Sequence, residues 1–178
     1  NGPQTLGRGP LFWVGFALAI GTAVVYPAFA DAWSVGNTAY FICWVFMALG
    51  LSLIWGYTGA LSFGQTAFFG LAGYTYGVIT INFGAAYGMT LVGLLLGVGM
   101  SCLGAALLGY MLFYGRISGV FLGIVTLSTT LVFATFMAQT AGSQWAIGDA
   151  RLGGDNGMTG MPPLTIPWAG GDIALYSG

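Results

Sequence analysis

Charge is what this sequence has least of. Only 4% of its 178 residues are charged, and these are all Arg or Asp, with no Lys, Glu or His anywhere. A soluble domain carries about 25% charge. With 57% of residues hydrophobic, a surface built from this chain could not stay dispersed in water, and the sequence reads as an integral membrane protein. Each absence removes a class of function. Without His or Glu, general acid–base catalysis near neutral pH has few candidates, so no catalytic residue and no enzyme activity are expected. Without Lys there is no GxxxxGK[ST] phosphate loop, so any ATP hydrolysis belongs to another chain. A net charge of −1 offers no basic patch for nucleic acid. The two cysteines, Cys43 and Cys102, sit in apolar stretches and read as small buried hydrophobes. No metal site and no cofactor are expected.

What is present is long apolar sequence. A spanning helix needs about 20 such residues, and residues 11–30 supply one between Arg8 and Asp31. Residues 32–115 carry no charge, which leaves room for about three more crossings. These are placed at 39–55, 65–81 and 89–113, with the loop NFGAAYG (82–88) before the last. A fifth follows Arg116 at 117–138. The expected fold is an all-α polytopic helical bundle over residues 1–138, with about five spanning segments. Residues 139–178, where hydropathy drops, are expected to form a Gly-rich loop outside the bilayer. The first segment also resembles a secretory signal peptide with an AFA cleavage site before Asp31, although its apolar run is of full spanning length. Arg8 and Arg116 lie four crossings apart and therefore on one side. The positive-inside rule makes that side, and the N-terminus, cytoplasmic. Arg151 dissents but is flanked by Asp149 and Asp155. GxxxG pairs at Gly73/Gly77, Gly93/Gly97 and Gly119/Gly123 suit close helix packing, within one subunit or between two.

One stretch breaks the apolar pattern. Residues 56–70, GYTGALSFGQTAFFG, hold glycines and hydroxyls between membrane-grade flanks. Residues 56–64 favour turn over helix, since Gly costs about 1 kcal/mol relative to Ala in a helix interior. Freed backbone groups cannot face lipid. The break is therefore either a hairpin at the interface or a discontinuous helix at membrane depth, of the kind that lines solute paths. In the second case Gly56, Thr58, Gly59, Ser62, Gly64, Gln65 and Thr66 line a substrate pathway. Gln65 and Thr66 then fall in the first turn of the next helix, where N–H groups are unpaired. A second polar cluster places Thr126, Thr129 and Thr130 on one helix face, with Ser128 off it. Its hydroxyls either bond helix backbone or line the same pathway. No spanning segment holds an Asp, Glu, Lys, Arg or His, which counts against a proton- or ion-driven carrier.

Three elements together resemble the branched-chain amino acid ABC transporter permeases of the LIV-M type. They are ALGLSLIWGYTGALSFGQTAFFGLAGY (48–74), GRISGVFLGIVTLS (115–128) and LGGDNGMTGMPP (152–163), in order and at plausible spacing. The resemblance implies a multi-pass subunit of a bacterial inner membrane that forms the translocation pathway of an ATP-driven importer. It implies as partners a second homologous permease subunit, two ATP-binding subunits and an extracytoplasmic solute-binding protein. Gly153, Gly154, Asp155, Asn156, Gly157, Thr159, Gly160 and Pro162 match the family's outer loop, expected to face the binding protein; simple turn chemistry also accounts for such a loop. Departures at Leu122, Gly123, Asp155 and Met158 leave the solute open. A urea or short-amide importer, a passive channel for a small neutral solute, and a scaffold without a solute path stand as alternatives. Family members run to about twice this length, so the chain is expected to be the N-terminal part of a permease.

Overall fold

The computed structural model describes residues 9–84, 88–168 and 171–174. Five helices dominate: α1 (Pro10–Phe29), α2 (Ala32–Thr58), α3 (Gln65–Phe83), α4 (Met89–Tyr114) and α5 (Val120–Ala138). Two short antiparallel hairpins follow, β1 (Ala146–Ile147) with β2 (Ala150–Arg151) and β3 (Thr165–Trp168) with β4 (Gly171–Ala174). The chain separates within α2 into two compact units, one ending at Phe46 and the other beginning at Met47.

Several helix ends differ from the sequence expectation, for local reasons. α2 starts at Ala32 rather than 39 because Asp31 caps it. The Asp31 carboxylate accepts the Ser34 hydroxyl (2.8 Å) and the Ser34 N–H (3.1 Å). α2 also runs on to Thr58, so Gly56 and Thr58 are helical and not part of a break. Lipid makes the helical backbone bonds obligatory, which outweighs the propensity cost of one glycine. Asn82, assigned to a connecting loop, lies in the last turn of α3. α4 closes with the N–H groups of Arg116 and Ile117 donating to the carbonyls of Phe113 and Leu112, both at 3.0 Å. This is a Schellman ending with Arg116 in the left-handed position (φ 53°). Gly119 precedes α5 instead of pairing with Gly123 along a helix. Cys43 and Cys102 are free thiols on exposed helix faces, not buried ones.

Among the described residues, four helices are long and apolar enough to cross a membrane: α1, α2, α4 and α5. α3 has the length, at 19 residues, but the lowest hydropathy of the five. Its setting explains this. α3 packs antiparallel to α4 and parallel to α5, so Tyr74, Thr75, Tyr76 and Thr80 are half-buried or buried against protein. The approach to α4 depends on Gly97, where an added Cβ would stand 2.7 Å from the Ala72 carbonyl oxygen. Ser101 of α4 donates to the Phe68 carbonyl of α3 at 2.8 Å. The Gly93/Gly97 pair thus serves packing inside the chain, while Gly73 has open space beside it.

Candidate functional site

The link between α2 and α3 is the irregular element of the apolar part. Gly59 ends α2 in the left-handed conformation (φ 67°), with its N–H on the Trp55 carbonyl at 2.9 Å. Residues 59–64 then climb alongside α5. Gly59 shares a cavity of about 330 Å³ with Gly119 and Val120 at the start of α5. The Leu61 carbonyl oxygen stands against Gly123, 3.4 Å from where a Cβ would sit. The Phe63 N–H donates to Thr126 Oγ1 (3.0 Å), and the Thr130 hydroxyl donates to the Phe63 carbonyl (2.9 Å). Farther on, Gly70 of α3 packs on Phe133 of α5.

These contacts set a depth. At about 1.5 Å rise per residue, Thr126 stands ~9 Å and Thr130 ~15 Å along α5 from Val120, in a helix ~28 Å long. α4 gives the same level independently. Its Gly104 packs on Phe68 and Leu71 in the first two turns of α3, and α4 then continues to Tyr114, a further ~15 Å. α3 therefore begins about a third of the way along its neighbours, counted from the Val120 end of α5 and the Tyr114 end of α4. The segment is an extended stretch that re-enters alongside α5, where the Phe63 backbone is bonded by that helix.

The predicted pathway residues divide accordingly. Gly64 lies against Thr126, 3.6 Å from where a Cβ would sit, and Gly59 lines a cavity with Gly119, Val120 and Gly123 of the α5 start. The Gln65 carboxamide lies half-buried against Gly50 of α2, and Ser62 Oγ accepts the Gly64 N–H at 3.4 Å. No side chain caps α3, so its first-turn N–H groups must be satisfied from outside the helix. Gly56 and Thr58 stay on α2, and the Thr58 hydroxyl donates to its own helix at Ile54 (2.7 Å). Thr66 is exposed. Thr129 and Ser128 bond only their own backbone, at Val125 and Ile124.

At the opposite end of α3 the chain after α5 folds back over the helices. Asn82 Nδ2 donates to the Ile147 carbonyl (2.9 Å), while its Oδ1 accepts the Asp149 N–H (2.8 Å). The Tyr76 hydroxyl donates to the Pro162 carbonyl at 3.4 Å. Thr90, in the first turn of α4 and 1% exposed, accepts the Thr165 N–H (3.1 Å) and meets its hydroxyl (2.8 Å). The sulfurs of Met158 and Met161 close over Gly77. Sequence reasoning missed Asn82, Tyr76 and Thr90; the only available signal was a polar residue within a turn of a helix end. In the loop after β2, positive φ at Gly153, Gly154, Gly157 and Gly160 shows turn chemistry. Gly154 is buried against Ala141, whereas Asp155, Asn156, Thr159 and Gly160 face outward. Among the described residues no cluster of three His, Cys, Asp or Glu could hold a metal ion.

Comparison with curated proteins and with solved structures gives no match. Residues 35–177 match the family described as branched-chain amino acid transport system, permease component. That span takes in most of α2, the re-entrant stretch, α3 to α5 and the tail. A helical architecture with membrane-compatible helices and this match converge: the chain belongs to the permease family of branched-chain amino acid transport systems.

Proposed function

We propose that the chain forms part of the translocation pathway of an ATP-driven importer for branched-chain amino acids, in a bacterial inner membrane. The observation that supports this reading is the extended stretch 59–64, whose Phe63 backbone is bonded to α5 within the helix rather than at its end, with the first turn of α3 following it. Gly59, Ser62, Gly64 and Gln65 offer uncharged hydrogen bonds there, which suits a neutral zwitterion moved without proton or ion coupling. The spanning helices carry no Asp, Glu, Lys, Arg or His. Energy then comes from outside the chain, from two ATP-binding subunits on the Arg116 side, with a second permease subunit completing the channel. The positive-inside rule places Arg116 and the N-terminus in the cytoplasm and the tail outside, where a solute-binding protein docks on the outward-facing Asp155, Asn156, Thr159 and Gly160.

Uptake of labelled leucine by membrane vesicles holding the assembled complex and ATP tests this. Gln65→Leu and Gly59→Leu should abolish uptake while the subunit still inserts. Normal uptake in both removes the pathway reading. Uptake of urea or a short amide in place of leucine reassigns the solute, and uptake without ATP makes the chain a passive channel. Asn156→Ala should raise the binding-protein concentration needed for half-maximal uptake and leave assembly intact.

A further inference from the structure

We propose that Thr126 and Thr130 are positioning residues: together they fix the depth at which α3 begins, by clamping the backbone of Phe63 to α5. The match of donors and acceptors is complete. The Thr126 hydroxyl gives its hydrogen to the carbonyls of Leu122 (2.9 Å) and Gly123 (3.0 Å) of its own helix. Its lone pair is thereby turned outward and accepts the Phe63 N–H. One turn on, Thr130 lies within reach of two carbonyls, Phe63 at 2.9 Å and Thr126 at 3.1 Å, and donates to the closer. An acceptor and a donor spaced by one helical turn thus serve the N–H and the C=O of a single residue, as a neighbouring strand would. Thr126 is 3% exposed, so water cannot stand in for it.

The hydrogen bonds of the clamp use only the backbone N–H and C=O of residue 63, so they govern position and not identity. Within 59–64 the remaining side-chain bonds are local, from the Ala60 N–H to Thr58 and the Gly64 N–H to Ser62. Neither holds the stretch at depth. Without the two threonines the Phe63 backbone would be left unpaired, and the stretch would relax toward the end of α2 as a surface turn, drawing the start of α3 with it. This deepens the pathway reading and takes its functional weight from it, since the depth of the stretch sets where a solute meets the first turn of α3.

The test uses the complete subunit in its native membrane, with Cys43→Ala, Cys102→Ala and a reporter thiol at Ala60→Cys. A membrane-impermeant maleimide is added on the Arg116 side, and uptake is measured in parallel. The isosteric pair Thr126→Val with Thr130→Val should speed labelling by about tenfold or more, the scale of an orphaned buried N–H. Thr126→Ser with Thr130→Ser should restore the parent rate, and Phe63→Ala should leave it unchanged. Where the double valine variant fails to accumulate, Thr130→Val alone, with the Phe63 N–H still bonded, should speed labelling about threefold. Parent-like labelling in the accumulating valine variants overturns the proposal. So does a loss of uptake without a change in labelling, which would make the hydroxyls solute contacts. Normal uptake in both Gln65→Leu and Gly59→Leu would sink the pathway reading and leave the clamp standing.

Discussion

The two ends of α3 meet the same physical demand with opposite arrangements. At its start, irregular backbone lies among apolar helices, and side chains of a neighbouring helix, Thr126 and Thr130, reach across to bond it. At its finish, the side chain of α3 itself, Asn82, reaches out and takes hold of the tail on both sides of Gly148. The first arrangement holds a loop between helices; the second holds the tail onto a helix end. Threonine suits the first role because its hydroxyl can satisfy its own helix and a neighbour together. Asparagine suits the second because one carboxamide carries both a donor and an acceptor.

Four perturbations would break or sharpen this contrast. The largest effect is expected between the two ends, at Gly97→Leu, which removes the close approach that holds α3 to α4. Overpacking of this kind costs about 3 kcal/mol, so the subunit should lose its monodisperse peak in detergent gel filtration; an unchanged elution and melting profile would mean that the helices can separate freely. Next is Asn82→Leu. Two lost cross-chain hydrogen bonds should cost about 2 kcal/mol and expose the tail to limited proteolysis near β1, with the helices still protected. If helices and tail were cut together, the outer end would not be a separable attachment. Ser101→Ala should cost only about 0.6 kcal/mol, the usual worth of a hydrogen bond between membrane helices. A much larger fall in thermal stability would show that Ser101, and not Gly97, governs the α3–α4 contact.

The smallest effect belongs to Asp31, whose cap is local and exposed. Hydrogen bonds from the Ser34 hydroxyl and then from the Ser34 N–H hold its carboxyl below the ordinary carboxylate value. A depressed folded-state pKa means that its contribution is fully present above the ordinary carboxylate value, about 3.9. The contribution fades as the pH falls through the lowered folded-state value. Asp31→Ala should therefore lower the melting temperature slightly at pH 7 and not at pH 2; an equal difference at both would take the cap out of the account.

The sequence carried the helical architecture and the location of the irregular stretch, because uncharged runs of spanning length and clustered glycines have few other uses. It also placed Thr126 and Thr130 on one face, since helical spacing alone requires it. Their partner was illegible, because a backbone amide at residue 63 leaves no trace in residue identity. Asn82 was misread for a related reason: Asn beside Gly favours a turn locally, and only the folded tail supplies carbonyl and amide partners that make it worth keeping in a helix. The early start of α2 was available in Asp31 and Ser34, three residues apart, but the charge read first as a segment boundary. β1 and β2 are two residues each, too short for alternation to show.

The modest hydropathy of α3 has a consequence for how the subunit is made. A segment leaving the translocation machinery enters lipid by its own apolarity, and α3, with its glycines, threonines and tyrosines, has the weakest claim of the five. Its first residue, moreover, lies partway along its neighbours rather than at their ends. Protein has to supply what lipid does not, and the glycine face of α4 is the nearest supply. α3 is therefore a passenger during synthesis: it settles only when α4 emerges behind it, and the order in which the ribosome delivers these two helices becomes part of the folding instruction.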